Sequence, residues 1–289
     1  MTINPDTLLA WKFPVTEHRY AEKDAILYAL GVGLGADPTD ERELRYVYER
    51  ELAVLPTLAA VIGHPGPWYA DPRTGIDWVH VLHGEQSATW HAPLAPADTL
   101  TCRTEVTDVE DKGPGRGALV RWRRSLSRGS DETPVATLES VLFCRADGGF
   151  GGAPRPKTVA AQWPDIPPAL TVTRSVSARA GLIYRLSGDL NPVHVDPEVA
   201  RKAGFERPIL HGLCTFAVAA WALVTEAATG NAAGLRSMHA RFRAPVYPGE
   251  TLRTEIWPVT GGVRFRTSSV ERNLLVLDSG SADIVEGAV

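Results

Sequence analysis

Asp189 and His194 stand five residues apart in the run Tyr184-Arg185-Leu186-Ser187-Gly188-Asp189-Leu190-Asn191-Pro192-Val193-His194-Val195-Asp196-Pro197. A carboxylate and an imidazole so placed can hold one water between them. That water can lose a proton as its oxygen attacks an electrophilic carbon, while the adjacent carbon gains one. Groups that move protons near neutral pH typically contribute about 10²–10⁴-fold in rate to such a step. Gly188 and Asn191-Pro192 interrupt regular structure, so both side chains are expected on an irregular turn where they can converge. Asn191 is available to orient either partner by hydrogen bonding. Asp196 is expected to cap a short helix that has Pro197 at its first position and ends at Gly204. The same residues also fit a purely local turn, in which Asp189 and Asn191 bond to nearby backbone and His194 is merely half-buried.

A second stretch, Arg207-Pro208-Ile209-Leu210-His211-Gly212, leads into a run that is apolar on nearly every side: Leu213, Phe216, Ala217, Val218, Trp221, Leu223 and Val224. A helix without a polar face is usually buried, and Gly230-Asn231 supplies its stop. The first N–H groups of such a helix lack intrahelical partners and carry partial positive charge. Glycine at that end leaves the Gly212 amide open to an oxyanion, a donor whose removal typically costs about 10²–10³ in rate. Taken alone, Gly212 reads as an ordinary helix start and His211 as a buried polar residue.

The elements that must position these groups come in two sets. Strand-like runs are expected at 78–90, 100–109, 118–127 and 136–145, and again at 236–244, 251–258, 262–271 and 274–284. Gly113-Pro114-Gly115, Gly129-Ser130-Asp131, Gly261-Gly262 and Asn273 mark the turns between them. Between the sets lies a Gly- and Pro-rich stretch, from which we expect an N-terminal domain at 1–147, a linker at 148–172 and a C-terminal domain at 173–289. The halves also resemble each other. Leu27-Tyr28-Ala29-Leu30-Gly31 matches Ile183-Tyr184-Arg185-Leu186-Ser187, and Ala92–Leu100 matches Ala244–Leu252, at offsets of 156 and 152 residues. The expected architecture is α+β: a double hotdog of two antiparallel sheets, each wrapping a long central helix.

The two chemical stretches together, Asp189-x-Asn191-Pro192-x-His194 and Arg207-Pro208-Ile209-x-His211-Gly212, resemble the hydratase 2 motif of MaoC-like (R)-specific 2-enoyl-CoA hydratases. Nearly the whole chain is similar to the two-hotdog form of that family, including Asp111-Lys112-Gly113 and the run Arg145–Gly152. The resemblance implies reversible hydration of trans-2-enoyl-CoA to (3R)-3-hydroxyacyl-CoA without a cofactor or metal. It implies Asp189 and His194 as the catalytic pair, Asn191 in support and Gly212 as oxyanion donor, with His211, Arg207, Gly149, Phe150 and Gly151 against the acyl-CoA. At the offset of 156, Gly33, Gly35 and Pro38 replace Asp189, Asn191 and His194, so the first half is expected to be catalytically silent. In the resembling enzymes that half makes room for bulky acyl groups. Two other readings fit parts of the pattern: an acyl-CoA thioesterase of the same fold, or a non-catalytic acyl-CoA or metal-binding module with Asp189, His194 and Asp196 as ligands.

Other features limit the choice. The chain has 289 residues, 44% hydrophobic and 22% charged, and a net charge of −4, which argues against general nucleic-acid binding. No stretch suggests a membrane span or a signal peptide. Cys102, Cys144 and Cys214 are odd in number and widely spaced, which suggests reducing cytoplasm. The resemblance suggests a homodimer. The Arg116, Arg121, Arg123, Arg124 and Arg128 cluster is expected to be a solvated strand face, with phosphate contact as the other reading. His64, His80, His83, His91 and His239 show no metal-like spacing.

Overall fold

The computed structural model describes residues 2–129, 131–152, 163–228 and 230–285. Among the described residues there are ten strands: β1 (Thr16–Tyr20), β2 (Val81–Trp90), β3 (Asp98–Asp111), β4 (Ala118–Arg128), β5 (Thr133–Cys144), β6 (Leu170–Ser175), β7 (Leu235–Phe242), β8 (Thr251–Val259), β9 (Gly262–Ser269) and β10 (Leu274–Ile284). The helices are α1 (Pro5–Leu9), α2 (Glu22–Val32), α3 (Glu41–Leu44), α4 (Ala180–Tyr184), α5 (Pro197–Lys202) and α6 (Gly212–Glu226), with several short 3₁₀ turns. All eight expected strand runs are strands, with their ends shifted by a few residues.

The strands do not divide into two sheets. They form one ten-stranded antiparallel sheet in the order β1-β3-β4-β5-β2-β7-β10-β9-β8-β6. The halves join edge to edge through β2 and β7, whose register sets Glu85 against Arg241 and Ser87 against His239. Ser87 and His239 are 152 residues apart, the offset of the internal repeat, so equivalent residues of the two halves face each other at the join. Joining the inner edges leaves the continuous sheet only two free edges, both short: β1 and β6. Unpaired edges invite wrong pairing, and burying them inside the molecule removes that hazard.

Helix α6 meets the expectation of a buried central helix, since every residue from Leu213 to Val224 is buried. Its core neighbours come from both halves, including Leu58, Leu100 and Leu126 from one and Leu252, Phe265 and Val276 from the other. Among the described residues the first half has no second helix of this kind. Its place in the sequence holds only the 3₁₀ turn Pro56–Ala60. Gly63 at φ 61° and the run Pro65-Gly66-Pro67 end that turn before a helix can propagate. The structure is therefore a double hotdog with one long sausage.

The repeat-related helices pack on each other. Tyr28 of α2 and Tyr184 of α4 have ring centroids 5.4 Å apart, and a Cβ added at Gly31 would stand 3.1 Å from the Tyr184 Cα. Glu43, only 6% exposed, ties the halves further. Its carboxylate accepts from Arg174 at 3.1 Å, from the Trp221 indole at 3.4 Å and from the Gly35 amide at 2.9 Å. Of the expected linker, residues 153–162 lie outside the described residues, and its last three positions begin β6.

Candidate active site

The turn after α4 folds as the local signals suggest. Gly188 takes φ 123°, and the Asn191 amide donates to Asp189 Oδ1 at 3.1 Å. Asn191 Oδ1 in turn accepts from the Val193 amide at 3.1 Å, capping the 3₁₀ turn Pro192–His194. Asn191 thus shapes the loop rather than reaching outward. Asp196 caps α5, accepting from the Glu198 and Val199 amides at 2.8 and 3.3 Å. That role removes Asp196 from any ligand set with Asp189 and His194. His211 stands there instead: polar atoms of Asp189, His194 and His211 all lie within 4.8 Å of one another. Two imidazoles and a carboxylate are chemically able to hold a divalent ion, but they equally suit a water.

Hydrogen bonds fix both imidazole tautomers. His194 Nδ1 is 2.8 Å from the Ile209 carbonyl and His211 Nε2 is 3.1 Å from the Asp189 carbonyl. A carbonyl only accepts, so both nitrogens carry hydrogen. The other nitrogens, His194 Nε2 and His211 Nδ1, therefore present lone pairs whenever the rings are neutral. Burial pushes the pKa of His194 down, and burial followed by the neighbouring His194 pushes that of His211 down to about 4. Both rings are neutral at pH 7. They stack 3.7 Å apart, and Tyr184 packs against His211 from the other side at 5.0 Å.

The distance between Asp189 and His194 is informative. His194 Nε2 and Asp189 Oδ2 are 3.9 Å apart, too far for a direct hydrogen bond. Two acceptors that each sit about 2.8 Å from one water oxygen stand about 4.4 Å apart when the water donates straight to both, and somewhat closer when those bonds bend. The pair is spaced to grip one water through its two hydrogens. Beside it begins α6. The Cys214 and Thr215 amides close its first turn on the His211 carbonyl, both at 3.1 Å, leaving the Gly212 amide ahead of the helical ladder. The His211 bond to the Asp189 carbonyl locks this helix start to the Asp189–His194 turn. An added Cβ at Gly212 would meet the Phe242 ring at 3.3 Å, so the glycine also permits close packing.

The first half contributes more than its missing motif suggests. Burial dominates the pKa of His64, His83 and Tyr69, lowering those of the two imidazoles and raising that of the phenol; the charge of Asp189 acts on all three as a smaller influence, so all three lie within its field. His83 packs on Phe242 with centroids 4.7 Å apart, completing a wall from β2 through β7 to the start of α6. Periodicity and spacing gave no sign of these partners, because sheet pairing between the halves brings them in. His64 lines a cavity of about 550 Å³ together with Trp11, Phe13, His18 and Trp68. Although open to that space, it is enclosed by protein on its other sides. Burial and then Arg124 push its pKa down to about 3.

The remaining expected substrate contacts are more peripheral. Arg207 is exposed, with its guanidinium over the Tyr247 ring at 5.0 Å. The Gly149 and Gly151 amides both donate to the Asp111 carboxylate, at 2.8 and 2.6 Å, and Phe150 packs on an apolar cluster around Trp122. Those amides are already used within the chain. Within the arginine cluster, Arg121 and Arg123 make partly exposed ion pairs as expected of a solvated face. Arg124 does not: it is only 2% exposed and lies in the interior.

Fold and site together define a double-hotdog protein with an acid–imidazole pair at the start of its central helix. Residues 18–146 match the MFE-2 hydratase 2 N-terminal domain and residues 159–279 match the MaoC like domain. The chain is 40% identical to 3-hydroxyacyl-thioester dehydratase Y of Mycobacterium tuberculosis, over 99% of this chain and 100% of that one. It is 36% identical to the peroxisomal enoyl-CoA hydratase 2 of Arabidopsis thaliana, over 97% and 95% respectively. The crystal structure of a MaoC-like dehydratase from Phytophthora capsici superposes with a TM-score of 0.86 at 31% identity, covering 99% of both chains. This chain belongs to the MaoC-like hydratase 2 family.

Proposed function

We propose that this protein is a hydro-lyase that adds water reversibly to trans-2-enoyl-CoA, giving (3R)-3-hydroxyacyl-CoA. The observation that carries the reading is the 3.9 Å gap between His194 Nε2 and Asp189 Oδ2, with both groups acting as acceptors. A water donating to both turns its oxygen lone pairs toward a substrate C3. As the C3–O bond forms, one member of the pair takes a water proton and electron density moves to the thioester oxygen. The Gly212 amide steadies that enolate oxygen. C2 then receives a proton from the same pair, which returns to its starting state. The reverse sequence expels water from the hydroxyacyl thioester. Because the pair and the helix start lie on fixed sides of the acyl plane, addition to a single face follows.

The cavity of about 550 Å³ in the first half supports a role there in housing the acyl chain, within the size range usual for small-molecule sites, roughly 300–1,000 Å³. Arg207 is available to the CoA portion. Cys102, Cys144 and Cys214 are all free and buried, which supports a reducing compartment such as the cytoplasm. Among the described residues no helix is long and apolar enough to cross a membrane. A homodimer is the assembly we expect. The decisive experiment is Asp189→Asn assayed on crotonyl-CoA and on longer enoyl-CoAs. Loss of one member of the pair should lower kcat by about 10²–10⁴-fold. Wild-type turnover on every substrate would refute the assignment.

A further inference from the structure

Arg124 is the least expected residue in the interior. Its β4 neighbours on the same face are Ala118, Val120, Trp122 and Leu126, all buried. Nη2 donates to the Ala60 carbonyl at 2.6 Å and to the Ala59 carbonyl at 3.4 Å, and the guanidinium lies 5.7 Å from the Trp122 ring centroid. Nε and Nη1 have no hydrogen-bond partner, and no carboxylate among the described residues pairs with the charge. A buried cation without a counter-anion is costly, and such groups ordinarily neutralise or find a partner. Burial does lower the pKa of Arg124, but only to about 10, so the charge persists at neutral pH.

The cavity wall near Arg124 carries two histidines whose tautomers are fixed by backbone amides. The Gly63 amide donates to His18 Nδ1 at 3.2 Å, and the Gly66 amide donates to His64 Nδ1 at 3.1 Å. A backbone amide only donates, so both Nδ1 atoms accept and each neutral ring carries its hydrogen on Nε2. Gly63 is required for the first of these contacts: at φ 61° a Cβ would stand 2.2 Å from Cys102 Sγ. Thr104, directly opposite Arg124 in the β3–β4 register, also lines the cavity. Two carboxylates line it as well, but Asp71 is held by Arg73 and Glu17 is exposed. The inner wall thus presents two N–H donors in front of an uncompensated positive charge.

Resting on the hydratase reading above, we propose that the cavity selects an acyl chain bearing a carboxylate beyond the reacting carbons, bound by the Nε2–H groups of His18 and His64 in the field of Arg124. A methyl-ended chain would fill the same apolar sides, formed by Trp11, Phe13 and Trp68, but leave the two donors unmatched. The carboxylate gains two charge-assisted hydrogen bonds and supplies Arg124 with its missing counter-charge. The substrate class this defines is the ω-carboxylated 2-enoyl-CoA.

The test uses pairs of 2-enoyl-CoAs of equal chain length, one ending in methyl and the other in carboxylate, across a series of lengths. The readout is the ratio of kcat/KM within each pair, so a general loss of activity cancels. We expect the wild type to favour the carboxylate by about tenfold or more at one or more lengths, which corresponds to about 1.4 kcal/mol. In Arg124→Met and in His18→Leu that ratio should fall toward one. His18→Leu leaves the buried arginine in place and decides the matter if Arg124→Met does not fold. Equal kcat/KM within every pair for the wild type overturns the subsite, as does a preference that survives both substitutions. Failure of the wild type to hydrate either member of any pair overturns the hydratase reading itself.

Discussion

At the scale of single residues, the site depends on lone pairs and amides held in fixed directions. His194 and His211 are each aimed by a bond from one ring nitrogen to a backbone carbonyl, an arrangement that sets the tautomer as well as the angle. The Gly212 amide is aimed by the helix it begins. This suggests a substitution that keeps the amide but moves it. In Gly212→Ala the new Cβ would press on the Phe242 ring at 3.3 Å, so the helix start or the ring must give by a few tenths of an ångström. Small displacements of catalytic donors are expensive, since about 1 Å can cost roughly 10²-fold. We expect kcat on crotonyl-CoA to fall by about tenfold while KM changes little. A variant with unchanged kcat would remove Gly212 from the oxyanion role. The Asp189–His194 turn was legible in the sequence because its parts are near neighbours in the chain: Gly188, Asp189, Asn191-Pro192 and His194 fold together by local rules. Asn191 was read for its side-chain chemistry, whereas its oxygen caps the turn.

At the scale of elements, the alternation of strand residues carried information that charge counting hid. Arg121, Arg123 and Arg124 look like one basic run, but on β4 the period of two puts Arg124 on the face of Val120, Trp122 and Leu126. Strands β1 and β6 escaped notice because Thr16–Tyr20 and Leu170–Ser175 carry few apolar residues, and they lie at the sheet edges. The halving of the helix count was written in Pro56 and in Pro65-Gly66-Pro67, which leave too short a span for a second central helix. Glu43 makes the most consequential link between elements. It sits on α3 and joins that helix to β6 and α6. Removing one partner of a buried ion pair strands the other charge and typically costs about 3–5 kcal/mol. Glu43→Ala should lose stability of that order in urea unfolding, since it leaves Arg174 and the Gly35 amide without their acceptor. A loss below about 1 kcal/mol would place this contact among ordinary surface pairs.

At the scale of the whole molecule, joining the two halves into one sheet does what neither half's sequence announces. It brings His64 and His83 of the first half within the field of Asp189, and it buries several imidazoles at once, among them His83 and His211. Such partners depend on sheet pairing across well over a hundred residues of chain, so no local pattern could reveal them. Their enclosure has a measurable consequence. Burial lowers the pKa of His83 and His211 to about 4, and it also lowers those of His18 and His194. In the unfolded chain these groups titrate near 6.5. Above that pH both states are neutral and the imidazoles leave stability unchanged. Between about 6.5 and 4 the unfolded chain binds protons that the folded protein refuses, so stability falls as pH drops through this window. For one fully buried ring such as His211 the slope approaches 1.4 kcal/mol per pH unit. Urea midpoints should therefore decline steadily from pH 7 to pH 5, and His211→Gln should show a shallower decline than the wild type. A midpoint that stays level across that range would mean the imidazoles are already protonated, or freely solvated, in the folded protein, and the lone pairs assigned to the water grip would not exist.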